Sequence, residues 1–148
     1  MAGYAACAWA LVFAGANVYW GLGGRLAIPL RDPDTAFGDS TFVALNWIAV
    51  VLKAGLGLVA LATIQSWDRA IPRRLLLIAT YGLGASMALY GALGLVADGL
   101  RLLGVLDVPP SAWASLRWHV FVWDPWWIVG GVLFVVAARL AQRRDPGA

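Results

Sequence analysis

Apolar residues fill four long stretches of the chain, Tyr4 to Gly24, Phe42 to Ile64, Leu75 to Leu103 and Trp118 to Leu140, separated by polar connections. At ~1.5 Å per residue, each can cross a hydrocarbon layer ~30 Å thick. The pattern predicts an all-α polytopic membrane protein, a single transmembrane domain over residues 1–148 with an antiparallel bundle of helices at about 4–24, 42–64, 75–103 and 118–140. The fourth segment is the least regular. Pro109-Pro110 interrupts it, Ser111 is placed to cap a short helix through Trp113, Leu116 and Trp118, and Asp124-Pro125 resembles a second helix start. Asp is a favoured N-cap and Pro suits the first helical position, so a kink or break is expected near Asp124.

The connections carry their own signals. The first, Arg25 to Thr41, has Arg31-Asp32-Pro33-Asp34 as a turn-forming core and Asp39 or Ser40 to cap the second helix. It predicts an ordered outer loop too polar to enter the bilayer. The second, Gln65 to Arg74, is short enough to make the second and third helices a hairpin, with Trp67 and Arg69 at the interface. In the third segment Gly84, Ala88, Gly91 and Asp98 share a narrow arc at ~100° per residue, which predicts a seam where a neighbouring backbone approaches closely. Gly21, Gly23, Gly24, Gly55 and Gly57 invite the same explanation.

Composition narrows the chemistry. With 61% hydrophobic residues and a mean hydropathy of +0.76, the chain has too few polar groups to coat a soluble domain of 148 residues. The single cysteine, Cys7, excludes an intramolecular disulfide and a cysteine metal cage. One histidine, His119, and no glutamate leave few metal ligands, so neither a metal nor a cofactor is expected. The net charge of +3 does not indicate nucleic acid, because the arginines are scattered at helix ends rather than along one face. They describe topology instead: Arg69, Arg73 and Arg74 lie between the second and third segments and Arg139, Arg143 and Arg144 follow the fourth, which puts both termini in the cytoplasm. The first segment lacks a preceding basic residue and an A-x-A-like cleavage site, so it is expected to be a retained helix rather than a secretory signal.

Ionisable groups inside membrane segments are costly and mark candidate sites. Lys53 and Asp124 both fall in such segments. Asn46 shares a helix face with Lys53, seven residues and nearly two turns away, and Asn17 and Trp20 belong to the same end of the bundle. Trp47, Trp123, Trp126 and Trp127 crowd this region, whereas Trp9 and Trp67 are expected at one interface and Trp20, Trp113 and Trp118 at the other. The candidate ligand-binding set is therefore Asn17, Trp20, Asn46, Trp47, Lys53, His119, Trp123, Asp124 and Trp127, with Asp124 and Asp98 as the candidate acids. A direct or water-bridged contact between Lys53 and Asp124 is expected, since each charge needs compensation.

The strings Ala16-Asn17-Val18-Tyr19-Trp20-Gly21-Leu22-Gly23-Gly24 and Trp123-Asp124-Pro125-Trp126-Trp127-Ile128-Val129-Gly130-Gly131-Val132-Leu133-Phe134, with Lys53 between them, resemble an uncharacterised family of small four-helix bacterial membrane proteins. The resemblance covers nearly the whole chain and implies the four-helix membrane fold and a bacterial membrane. It implies no catalytic role. One lysine against ten arginines would suit a high-GC bacterium.

The expected function is an outward-facing, Trp-lined pocket that binds a lipid or other hydrophobic small molecule over a polar floor. A second expectation is an enzyme acting on an isoprenoid or lipid by acid-initiated cyclisation, with tryptophans shielding cationic intermediates. A third is a non-catalytic subunit that docks on a homo-oligomer or membrane-complex partner through its glycine-rich faces.

Overall fold

The computed structural model describes residues 1–28, 33–65 and 71–144. Its elements are α1 (Ala2–Gly21), α2 (Pro33–Gly38), α3 (Ser40–Ala62), α4 (Arg73–Leu102), a 3₁₀ turn (Pro110–Ala112), α5 (Trp113–Trp118), a π-helical segment (His119–Trp123) and α6 (Asp124–Arg144). No strand occurs among the described residues. The four apolar spans are α1, α3, α4 and the continuous stretch Pro110–Arg144, which makes this a multi-pass membrane protein. Their surface suits that solvent, since α3 turns Leu45, Ile48, Val51, Leu52 and Leu58 outward. The turn core Arg31-Asp32 and the connection holding Trp67 and Arg69 lie outside the described residues.

One end of the bundle gathers the start of α1 and the end of α6. Met1, Gly3, Ile64, Ala137 and Arg144 line one small crevice there. Arg73 at the start of α4 donates to the Thr63 carbonyl at 3.5 Å and to the Ala141 carbonyl at 3.3 Å. The helices therefore alternate in direction, and the Arg25–Asp39 connection lies at the opposite end. That connection is less detached than its polarity predicts. Trp20 Nε1 donates to the Leu26 carbonyl and Trp123 Nε1 to the Ala27 carbonyl, at 3.0 and 2.8 Å, and Ile28 is buried. Ala27 takes φ +56°, a left-handed conformation held by these bonds. The loop thus folds back onto the bundle because two indole N–H groups need acceptors and its own carbonyls supply them. Beyond it, the Asp39 side chain accepts from Thr41 N at 2.8 Å and caps α3 as expected.

The helices pack as a curved row, α3 on α1, α1 on α6 and α6 on α4, while α3 and α4 touch little. The α4–α6 seam is the one predicted by the glycine arc. A Cβ at Gly84 would sit 2.8 Å from the Gly131 carbonyl oxygen, one at Gly91 2.6 Å from that of Asp124, and one at Gly131 2.4 Å from Ala88 N. Small residues bring the two backbones into direct contact, which in lipid replaces the missing hydrophobic drive between helices. Trp9 departs from expectation. It is 4% exposed, stacks on Trp126 with ring centroids 5.8 Å apart and donates from Nε1 to the Trp126 carbonyl at 3.0 Å, so it is a core residue and not an interfacial one. It fits because α6 presents Gly130 to its ring.

The fourth span is irregular but not broken. A 3₁₀ turn leads into α5, whose cap position is Ala112 rather than Ser111, and the helix continues without interruption through residue 144. Asp124 is helical in backbone and is not a fresh N-cap; its N–H donates to the His119 carbonyl five residues back, widening the turn. Pro125 is the local cause. It has no N–H for the Phe121 carbonyl and its ring would collide there, so the preceding turn expands to a π form.

Candidate functional site

A cavity of about 390 Å³ lies between α3 and α4, against α1. From α1 come Phe13, Asn17 and Trp20, spaced by four and three residues and so on one face. From α3 come Phe42, Leu45, Asn46, Ala49 and Lys53, again one face. Tyr90 of α4, His119 and Trp123 of the π segment and Trp127 of α6 complete the wall, and Ile28 closes it at the loop end. Leu45 and Tyr90 are more than half exposed, so the cavity reaches the lipid-facing surface in the gap between α3 and α4.

The aromatic part is tightly ordered. Phe13 stacks on Trp123 with centroids 5.5 Å apart, meets Trp127 edge-on at 5.0 Å, and Trp20 meets Trp123 edge-on at 5.1 Å. Such offset and T-shaped pairs each add ~0.5–1.5 kcal/mol beyond burial. The polar part is partly committed to structure. Asn46 donates from Nδ2 to the Asn17 carbonyl at 2.9 Å, tying α3 to α1, and Asn17 donates to the Phe13 carbonyl at 3.2 Å.

Lys53 does not meet Asp124. Its Nζ lies 3.6 Å from the centre of the Phe13 ring, and no ion pair joins it to a carboxylate among the described residues. The ammonium is held by the ring quadrupole, worth ~0.5–2 kcal/mol. Asp124, 2% exposed, instead faces α4, where a Cβ at Gly94 would come 2.7 Å from Oδ1, and its ionisable neighbour is His119, with Nδ1 3.5 Å from that oxygen. The expected pairing failed because α6 turns position 124 toward α4, while Lys53 lies over the Phe13 ring.

Of the nine candidate ligand-binding residues, seven line the cavity: Asn17, Trp20, Asn46, Lys53, His119, Trp123 and Trp127. Trp47 packs over Gly21, and Asp124 sits behind the wall. Phe13, Phe42, Leu45 and Ala49 were not singled out, although the helical spacing from Asn17 and Asn46 carries them; Tyr90 and Ile28 have no such signal. On the outer side of His119, a second cavity of about 310 Å³ is lined by Asp98, Arg101, Asp107 and Ser115 among others. Asp98, His119 and Asp124 each place one ligand-capable atom within 4.8 Å of the others, a grouping invisible in the spacing 98, 119, 124.

Residues 10–134 match the model of a family described as "Protein of unknown function (DUF3995)". The chain belongs to this family. The match covers both strings that flank Lys53, and reaches every helix that lines the 390 Å³ cavity of this DUF3995 member. No curated protein and no solved structure matches the chain.

Proposed function

We propose that the protein binds an amphipathic small molecule drawn from the bilayer. The apolar body would lie against Trp20, Trp123, Trp127 and Tyr90, with an acidic or hydrogen-bond-accepting end at Lys53. The observation that carries this reading is the cavity itself: it falls in the size range of small-molecule sites, is apolar with a few convergent polar groups, and holds an amine that no carboxylate among the described residues neutralises. Its opening between α3 and α4 suits entry from lipid rather than from water.

The setting we infer is a bacterial cytoplasmic membrane with both termini inside. Among the described residues Arg73, Arg74, Arg139, Arg143 and Arg144 collect at the terminal end, against Arg25, Arg101 and Arg117 at the other. The cavity then belongs to the outer half. The enzyme reading ranks second, on the observation that His119 lines the cavity with Asp124 directly behind it. Acid-initiated cyclisation needs Asp124 or Asp98 to reach the substrate, and neither lines the wall. For the docking-subunit reading, the Gly84–Gly91–Gly131 faces are consumed inside the chain, and Gly55 of α3, with nothing within 4 Å of an added Cβ, is what remains to support it.

Mass spectrometry of small molecules that co-purify in polymer-bounded membrane discs tests the proposal, with Ala49→Trp as the cavity-filled control. The wild type should carry about one equivalent of an amphiphile enriched over the bulk membrane, and Ala49→Trp should lose it. Identical, bulk-like lipid profiles for the two proteins refute it.

A further inference from the structure

We propose that Asp98, His119 and Asp124 form a binding site for a first-row divalent transition metal of the Zn²⁺ or Mn²⁺ type. The proposal is independent of what fills the larger cavity. The three ligands come from three elements: Asp98 from the last turns of α4, His119 from the π segment and Asp124 from the first turn of α6. The π turn makes the site. On an α-helix, residues five apart point about 140° away from each other. Widening the turn, closed by Asp124 N–H to the His119 carbonyl, swings both side chains toward α4.

The geometry does not fit a finished hydrogen-bonded pair. His119 Nδ1 and Asp124 Oδ1 are 3.5 Å apart, beyond ordinary hydrogen-bond length. Two ligands at ~2.0–2.1 Å from one tetrahedral ion are ~3.4 Å apart, which this separation matches. A second observation points the same way. Asp124 Oδ2 is buried with no hydrogen-bond partner among the described residues, a costly state for a carboxylate inside a membrane protein unless a cation completes it. Asp98 donates nothing to this deficit, being itself an acceptor; one of its oxygens is held by Arg101, and the other remains for the ion.

Charge and access agree with a divalent ion. Metal binding takes both carboxylates ionised and the imidazole neutral, a pair of negative charges that the half-exposed Arg101 offsets only in part. The imidazole selects against Ca²⁺ and Mg²⁺, which prefer all-oxygen shells, and in favour of Zn²⁺, Mn²⁺ or Fe²⁺. Asp98 and His119 both line the 310 Å³ outer cavity, so an entry path and room for water in the open coordination position exist on that side, beside Asp107. Gly94 keeps α4 close enough for Asp98 and Asp124 to share an ion, because any side chain there would displace the Asp124 carboxylate.

The test uses the full chain in detergent, carrying an affinity tag without histidine, stripped by chelator and then dialysed against Zn²⁺. Elemental analysis should find about one Zn²⁺ per chain, and Co²⁺ in its place should give the visible absorption of a four- or five-coordinate ion. His119→Gln and Asp124→Asn should each weaken Zn²⁺ binding by about tenfold or more, with Mg²⁺ unable to compete. A folded wild type that retains less than about a tenth of an equivalent, or variants that bind Zn²⁺ as tightly as wild type, overturns the site. Should the variants fail to fold, the wild-type Co²⁺ spectrum decides alone: its appearance with Zn²⁺-sensitive intensity supports the site, and its absence removes it.

Discussion

Gly131→Ala is the sharpest probe of the packing on which the whole arrangement depends. Its added methyl would lie 2.4 Å from Ala88 N, 2.5 Å from the Gly84 carbonyl oxygen and 2.7 Å from Ala88 Cβ. Ordinary contact begins near 3.4 Å, so α4 and α6 must separate by about 1 Å at this point. Two of these atoms are backbone and the third is a Cβ fixed to it, so none can rotate away. The cost should therefore lie at the upper end of the range for overpacking, about 2–3 kcal/mol, through lost dispersion contacts along the seam. Gly82→Ala supplies the control, since nothing lies within 4 Å of a Cβ there, and it should be neutral or stabilising by up to about 1 kcal/mol from helix propensity. Unfolding in mixed micelles, followed by the fluorescence of the buried tryptophans, measures both. If Gly131→Ala is as stable as Gly82→Ala, α4 and α6 are not in backbone contact, and the placement of Asp98 beside Asp124 fails with them.

Two further predictions are independent of that seam. Because Lys53 has no carboxylate partner among the described residues, Lys53→Met should cost no more than the ~0.5–2 kcal/mol of its contact with the Phe13 ring, and a double-mutant cycle with Asp124→Asn should be additive within about 0.5 kcal/mol; a coupling of several kcal/mol in the same micelle assay would restore the ion pair. For topology, green fluorescent protein fused after Ala148 should fluoresce and alkaline phosphatase fused there should be inactive, and the reverse pattern would invert the bundle.

The spans themselves were legible in the sequence because a hydrocarbon solvent demands long uninterrupted apolar helices, and length with polarity is a one-dimensional property. The glycine arc on α4 was legible for a related reason: helical periodicity alone puts Gly84, Ala88 and Gly91 on one stripe. Of the cavity lining, Asn17, Asn46 and Lys53 were conspicuous as polar residues in apolar surroundings. What periodicity does not contain is which stripe faces which neighbour. Lys53 and Asp124 looked complementary by sign and depth, yet α6 turns Asp124 to α4 and gives Lys53 the Phe13 ring, a matter of rotation about helix axes. Trp9 looked interfacial by its distance from the terminus, and only the groove left by Gly130 makes it core. The approach of Asp98, His119 and Asp124 depends on a local change of helical pitch before Pro125 together with the close packing of α4, so it exists only once both helices are in place.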